Sequence, residues 1–167
     1  KSTSRSTKDH VMAYWLMKSE PESFGWDHLV GSPKRTTVWD GVRNYQARNH
    51  LRAARKGDGV LFYHSACAEP GVVGIAEVAC DPHPDPSQFD PSSKYFDSTS
   101  RPDDPRWITV DVRARRKLRR FVSLAELRTH ADELDDFALL RRGNRLSVLP
   151  VTEAQWEFIL ELGSRAS

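Results

Sequence analysis

Little in this sequence could support a covalent or metal framework. Among its 167 residues there are two cysteines, Cys67 and Cys80, thirteen positions apart. That is too few for a disulfide scaffold, and a structural zinc site needs four ligands at recognisable spacing. Both cysteines read as plain thiols of a reducing compartment. Long hydrophobic runs are also missing: nothing approaches the ~20 apolar residues of a membrane span. Residues 1–10 are polar, with scattered bases and none of the apolar core of a signal peptide. The reading is an intracellular, non-secreted protein of nucleus or cytoplasm, with a flexible tail over residues 1–12 ahead of a single domain over 13–163.

Catalytic signatures are scarce as well. There is no glycine-rich phosphate loop, no nucleophile elbow, no Pro-Cys-x-x-Cys element of a zinc deaminase and no internal repeat. No catalytic residue, cofactor or metal is expected. Bulk charge does not announce a partner either, because 25 Lys and Arg against 23 acids leave a net charge of +2. Its distribution is uneven, however. Arg113, Arg115, Arg116, Lys117, Arg119 and Arg120 crowd together, a second basic group runs from Arg43 to Lys56, and acids gather at 81–104 and 132–136. Such patches attract phosphates even on a nearly neutral protein.

What is present is an ordinary globular mix, 38% hydrophobic and 29% charged. A chain of this length buries roughly two-thirds of its unfolded surface. Residues 11–17 form an apolar run of strand length. Ser23 can cap a short helix that stops at Gly31, with Trp26, Leu29 and Val30 on one face. Residues 36–39 read as a brief strand, and Asp40-Gly41 as a turn. Asn44 is placed to cap a helix running to about 56, with Ala47, Leu51 and Ala54 as its apolar stripe. Arg48, Arg52 and Arg55 repeat that spacing one position on, as a solvated face or a phosphate-tracking edge.

Residues 60–64 and 71–79 read as an antiparallel hairpin, with Leu61 and Tyr63 on one side and Val60, Phe62 and His64 on the other. Residues 81–105, rich in Pro, Asp and Ser, form an unusually long loop with Phe89, Tyr95 and Phe96 as apolar anchors. A strand follows over 107–115, then a basic turn or strand end over 115–120. Capping boxes stand at Ser123/Glu126 and Thr152/Gln155, each flanked by an apolar pair, and 145–149 reads as a short edge strand. Strands that do not alternate regularly with helices predict an α+β fold. Five to six short strands would form a curled mixed β-sheet, a pseudo-barrel with flanking helices.

Four sequence features invite a catalytic reading, and a blander one accompanies each. His64 and Cys67 could make a thiol–imidazole pair, or be a strand-end histidine beside a loop cysteine. Ser19-Glu20 and His64-Ser65 could supply acid–base groups, or only orient a ligand. Asp81, His83 and Asp85 could hold a metal, but alternate with prolines as a solvated turn would.

Three strings carry a specific pattern: YWLMKSEP (14–21), VWDGVRNYQARNHLR (38–52) and FYHS (62–65). With Glu69-Pro70-Gly71, Gln88-Phe89-Asp90, Tyr95, Pro105-Arg106-Trp107 and RLSVLPVT (145–152), they resemble the EVE domain family over nearly the whole chain beyond residue 13. The resemblance implies a PUA-like fold related to RNA-binding modules. It also implies a nucleic-acid-binding module that recognises a modified base, such as a modified cytosine in DNA, in an aromatic pocket.

The residues suit that chemistry. A flipped base needs a flat apolar surface to stack on and polar groups to read its edge. Trp39 can supply the surface, with Tyr63 or Trp15 as a second wall. Asn44, Ser19, Ser65, His64 and Glu20 can bond the base edge, Asn donating and accepting at once. Lys18, Arg43, Arg48 and Arg52 can neutralise phosphates. Trp107, Trp156 and Trp26 read as core, Trp15 as either core or pocket, and Asn44 as a cap that could also serve the pocket. The competing readings are an enzyme or binder for a small nucleobase-like ligand, and a protein-interaction domain docking through the acidic loop.

Overall fold

The structure, a computed structural model, describes residues 11–165. The expected tail over 1–12 therefore lies outside the described residues except for Val11 and Met12, which are exposed. One six-stranded sheet forms the body. Its strands are β1 (Tyr14–Ser19), β2 (Thr36–Val38), β3 (Gly59–His64), β4 (Gly71–Val78), β7 (Asp111–Ser123) and β8 (Val148–Val151). Their spatial order is β2-β7-β4-β3-β1-β8. Only β1 and β3 run parallel; every other neighbouring pair in this sheet is antiparallel. A two-stranded ribbon pairs β5 (His83–Pro84) with β6 (Ile108–Thr109). The mixed sheet and its strand count agree with the fold read from the sequence.

Six α-helices accompany the strands among the described residues: α1 (Pro21–Phe24), α2 (Trp26–Gly31), α3 (Tyr45–Ala53), α4 (Leu124–Thr129), α5 (Ala131–Leu134) and α6 (Glu153–Ser164). Asn44 caps α3 by accepting the Ala47 N–H at 3.0 Å. The helix ends at Ala53, before the expected 56, because the Ala54 N–H folds back onto the Leu51 carbonyl. Thr152 and Gln155 form a full reciprocal box at α6. At α4 only half the box exists. Ser123 accepts the Glu126 N–H, but the Glu126 carboxylate turns to Arg120 at 2.9 Å. Ser23 caps nothing; it lies inside α1, and Gly25 opens α2 with its N–H donated to the His28 ring.

The basic run 113–120 is no turn. It is the middle of the long strand β7. Register shifts against β4 act as bulges, so the buried residues Ala114, Leu118 and Val122 recur every fourth position, where an unbroken strand repeats every second. That spacing hides the strand from a period-2 reading.

Side-chain alternation divides the core between the two faces of the sheet. Trp15, Met17, Val60, Phe62, Val112 and Ala114 meet Trp26, Trp39 and Leu51 on one face. Leu16, Leu61, Tyr63, Leu118 and Val122 meet Leu127, Trp156 and Ile159 on the other. Trp107, Trp156 and Trp26 are core, as the sequence suggested. Trp15 is core too, its indole N–H donated to the buried Asp58 at 3.0 Å.

Gly74 is required by close packing. A Cβ there would stand 2.6 Å from the Trp26 ring, whereas one on Gly31 would meet nothing. Gly74→Ala is expected to lose about 1–3 kcal/mol of unfolding free energy, and Gly31→Ala to stay within about 0.5 kcal/mol of wild type. Urea unfolding midpoints check both; equal midpoints for the two variants would contradict the packing described.

Candidate nucleic-acid interface

A cavity of about 430 Å³ opens where the two sheet edges come near each other, within the usual size range of small-molecule pockets. The end of β1 contributes Lys18 and Ser19, followed by Glu20 and by Phe24 of α1. From the opposite edge of the sheet come Thr37 and Val38 of β2, then the segment Trp39 to Arg43. Ser147, just before β8, and Tyr95 of the long loop complete the wall. That β2 and the β1–β8 side share one cavity shows how far the sheet curls. Helix α3, which packs against both β8 and β6, spans the gap.

Trp39 forms the floor. It is 7% exposed, and its ring meets Phe62 edge-on at 5.7 Å. Its N–H donates to the Val110 carbonyl at 3.0 Å, and its own carbonyl accepts from Thr109 Oγ1. The chain then turns at Gly41, where φ is +89°. A Cβ there would lie 2.5 Å from the Tyr95 ring, so only glycine lets that ring rest on the backbone.

One carboxylate ties this turn to the long loop. Asp85 is 1% exposed. It accepts the Gly41 N–H at 2.8 Å, Arg43 Nη1 at 3.0 Å, and the Ser87 N–H and hydroxyl at 2.8 and 2.7 Å. Burial alone would raise the Asp85 pKa, but the donors, Ser87 foremost, hold it below its ordinary value. Arg43 Nη2 also donates to the Tyr95 carbonyl at 2.7 Å, and its guanidinium lies over the Tyr95 and Trp107 rings. Behind them the buried Gln88 side chain donates to the Asp85 and Trp107 carbonyls and accepts from the Trp107 N–H. So Asp85 is no part of a solvated turn, and Arg43 holds the loop in place.

Of the residues singled out in the sequence, Trp39, Ser19, Glu20, Lys18 and Arg43 gather at this cavity. The Ser19 hydroxyl donates to the Phe24 carbonyl at 2.5 Å, which leaves its oxygen an acceptor. Burial lowers the Lys18 pKa, while burial and then Asp85 raise that of Asp40. The others lie elsewhere. Tyr63, 2% exposed, is on the opposite face of the sheet, and Trp15 is bonded to Asp58. His64 Nε2 accepts the Trp26 N–H at 3.1 Å, and burial lowers its pKa. Ser65 reaches the β1 end only through its N–H, donated to the Ser19 carbonyl.

Asn44 caps α3 beside a separate depression bordered by residues 141–146. Arg48 donates to the Arg106 carbonyl and to Asn49 and covers the Tyr45 ring, and Arg52 is exposed on α3. Tyr95, Asp40, Phe24 and Lys94 line the cavity without having been assigned to a site. Tyr95 and the Asp40-Gly41 turn stood out in the sequence only as a loop anchor and a turn. Among the described residues, Cys80, His83 and Asp111 are the one group bringing three metal-type donor atoms within 4.8 Å of one another. His83 Nε2 already contacts Asp111 there, at 2.8 Å.

A curled mixed sheet flanked by helices, with a tryptophan-floored cavity at its seam, is a PUA-like module. The chain belongs to the EVE domain family, whose profile matches residues 13–162. It is 40% identical to human thymocyte nuclear protein 1 over 96% of this chain and 78% of that protein. A crystal structure of the human THYN1 protein in complex with 5-methylcytosine-containing DNA superposes with a TM-score of 0.87. Identity there is 41%, over 93% of this chain and 99% of that one. The YTH domain of the MRB1 protein of Zygosaccharomyces rouxii shares the fold at TM-score 0.54 and 15% identity, over 95% of this chain and 90% of that one.

Asp85→Ala is expected to cost on the order of 3 kcal/mol, because it strands a partly buried guanidinium. Asp85 has a depressed pKa, so the stability it adds is present above its unfolded value of ~3.9 and is lost as pH falls through the folded value. The melting difference between wild type and Asp85→Asn should therefore be largest near neutrality and shrink below about pH 4. A pH-independent difference would contradict the clamp.

Proposed function

We propose that this protein reads a modified base in nucleic acid, a modified cytosine in DNA, by taking it into the cavity floored by Trp39. The observation that carries the reading is that cavity in a chain 41% identical, at TM-score 0.87, to a protein crystallised in complex with 5-methylcytosine-containing DNA. A base inside a duplex is reachable only when flipped out, and stacking on an aromatic surface contributes roughly 1–3 kcal/mol per base. Trp39 offers that surface with Tyr95 at the rim, and Ser19 and Glu20 face the base edge. Lys18 and Lys94 supply positive charge at the cavity, with Arg48 and Arg52 on α3 available to flanking phosphates. The work is recognition, with no reaction required of any residue. DNA as partner accords with an intracellular protein, and in a nucleated cell with the nucleus, the place carried in the human relative's name.

Fluorescence anisotropy on duplexes differing only in one cytosine, methylated or not, tests the reading at fixed salt. Trp39→Phe is preferable to Trp39→Ala, because removing a buried tryptophan side chain costs about 3–5 kcal/mol of stability. The methylated duplex should bind more tightly, and Trp39→Phe should narrow the preference. Lys18→Gln should weaken both duplexes alike and flatten the salt dependence by about one charge. Equal binding to both duplexes, unmoved by Trp39→Phe and abolished by salt, would overturn the proposal. Binding of a free nucleobase without any DNA preference would replace it with a small-ligand reading.

A further inference from the structure

The geometry points to Asp40, seconded by Glu20, as the group that sets a hydrogen-bond acceptor opposite position 4 of the base, admitting cytosine and 5-methylcytosine and rejecting thymine. This rests on the base-reading proposal and deepens it. 5-Methylcytosine and thymine carry the same methyl group on rings of almost the same shape. They differ at position 4, an amino donor in one and a carbonyl acceptor in the other, and at N3, which accepts in one and carries hydrogen in the other. Stacking on Trp39 cannot separate them, since an apolar surface rejects an isostere weakly. A polar group left facing a like pole rejects it strongly. Thymine is also the standard DNA base that bears a 5-methyl group, so a pocket fitted to that methyl needs a separate device against it.

The polar groups at this cavity supply one. Asp85, which is not among the lining residues, is saturated by four donated hydrogen bonds. The Ser19 hydrogen is committed to the Phe24 carbonyl. Asp40 lines the cavity and is exposed; besides its own backbone N–H, no described group donates a hydrogen bond to its carboxylate. Its backbone is fixed by its own N–H, donated to the Val38 carbonyl at 2.9 Å. It follows Trp39 directly, so its carboxylate is anchored one residue from the stacking surface. Glu20, likewise exposed, stands on the β1 side. A carboxylate opposite position 4 accepts a hydrogen of the cytosine 4-amino group, whereas thymine turns its O4 toward it. Lys18 and Lys94, also at the cavity, are donors that can serve cytosine N3 or the O2 that both pyrimidines share.

The test uses duplexes in which cytosine, 5-methylcytosine or thymine faces an abasic site, so that pairing strength does not bias the comparison. Wild type should favour 5-methylcytosine over thymine by about tenfold or more, the span of one good base-edge contact. Asp40→Ala should bring that ratio to within about threefold, mainly by weakening the cytosine forms. Asp40→Asn, whose amide can donate to O4, should collapse the ratio by strengthening thymine binding. Thermal melts of both variants should match wild type, as befits an exposed carboxylate that no other residue's donor holds. A ratio unchanged in both variants would overturn the inference while leaving the base-reading proposal standing. Wild type that ignores methylation and base identity altogether would sink both, and the loss would then be visible before any variant is compared.

Discussion

The cavity depends on one buried carboxylate. Asp85 bonds the backbone at Gly41, the guanidinium of Arg43 and its own loop at Ser87, and so joins two segments far apart in sequence. A buried ion pair is often no better than apolar packing, because desolvation offsets Coulomb attraction. Here four donors converge on the carboxylate, and the guanidinium is further held by the Tyr95 carbonyl and two aromatic rings. The pair's value lies in placement: it sets Tyr95 over Gly41 and closes the open side of the cavity.

The rest of the fold supplies what that clamp needs. Bulges in β3–β4 and β4–β7 curl the sheet until opposite edges border one opening. Trp39 serves both layers, packing on Phe62 beneath and facing the cavity above. In the proposed reading, a stacking surface embedded in a core has its orientation fixed before any ligand arrives, and less ordering entropy is lost on binding. The same embedding ties recognition to stability, so substitutions at the floor are felt by the whole domain. Those at the exposed Glu20 and Asp40 of the rim are less bound to that coupling.

Much of this was legible in the sequence. The β3–β4 hairpin, the Asn44 cap and the Thr152/Gln155 box each rest on local chemistry, and the family strings placed Trp39, Ser19 and Lys18 together. What was hidden is what needs register or distant contacts. Lys18 pairs with Tyr63, and Ser19 with His64, across the parallel β1–β3 ladder; that register puts the Tyr63 ring on the face away from Trp39, where α4 and α6 cover it. Arg43 looks like a free cation until Asp85, 42 positions away, is brought beside it. Long strand β7 was missed beyond 115 because bulges broke its alternation. Asp40 and Tyr95 belong to a turn and a loop, where composition reveals flexibility more readily than direction.

The central claim is that the Trp39 cavity, and no other surface, receives the base. Backbone amide chemical-shift mapping on titration with a 5-methylcytosine duplex tests it most directly. The account expects the largest shifts, and slowed exchange, at Ser19, Asp40, Gly41 and Tyr95, with smaller changes across α3. Shifts confined to the exposed basic stretch of β7 at Arg116, Lys117 and Arg119, with the cavity amides unmoved, would contradict it.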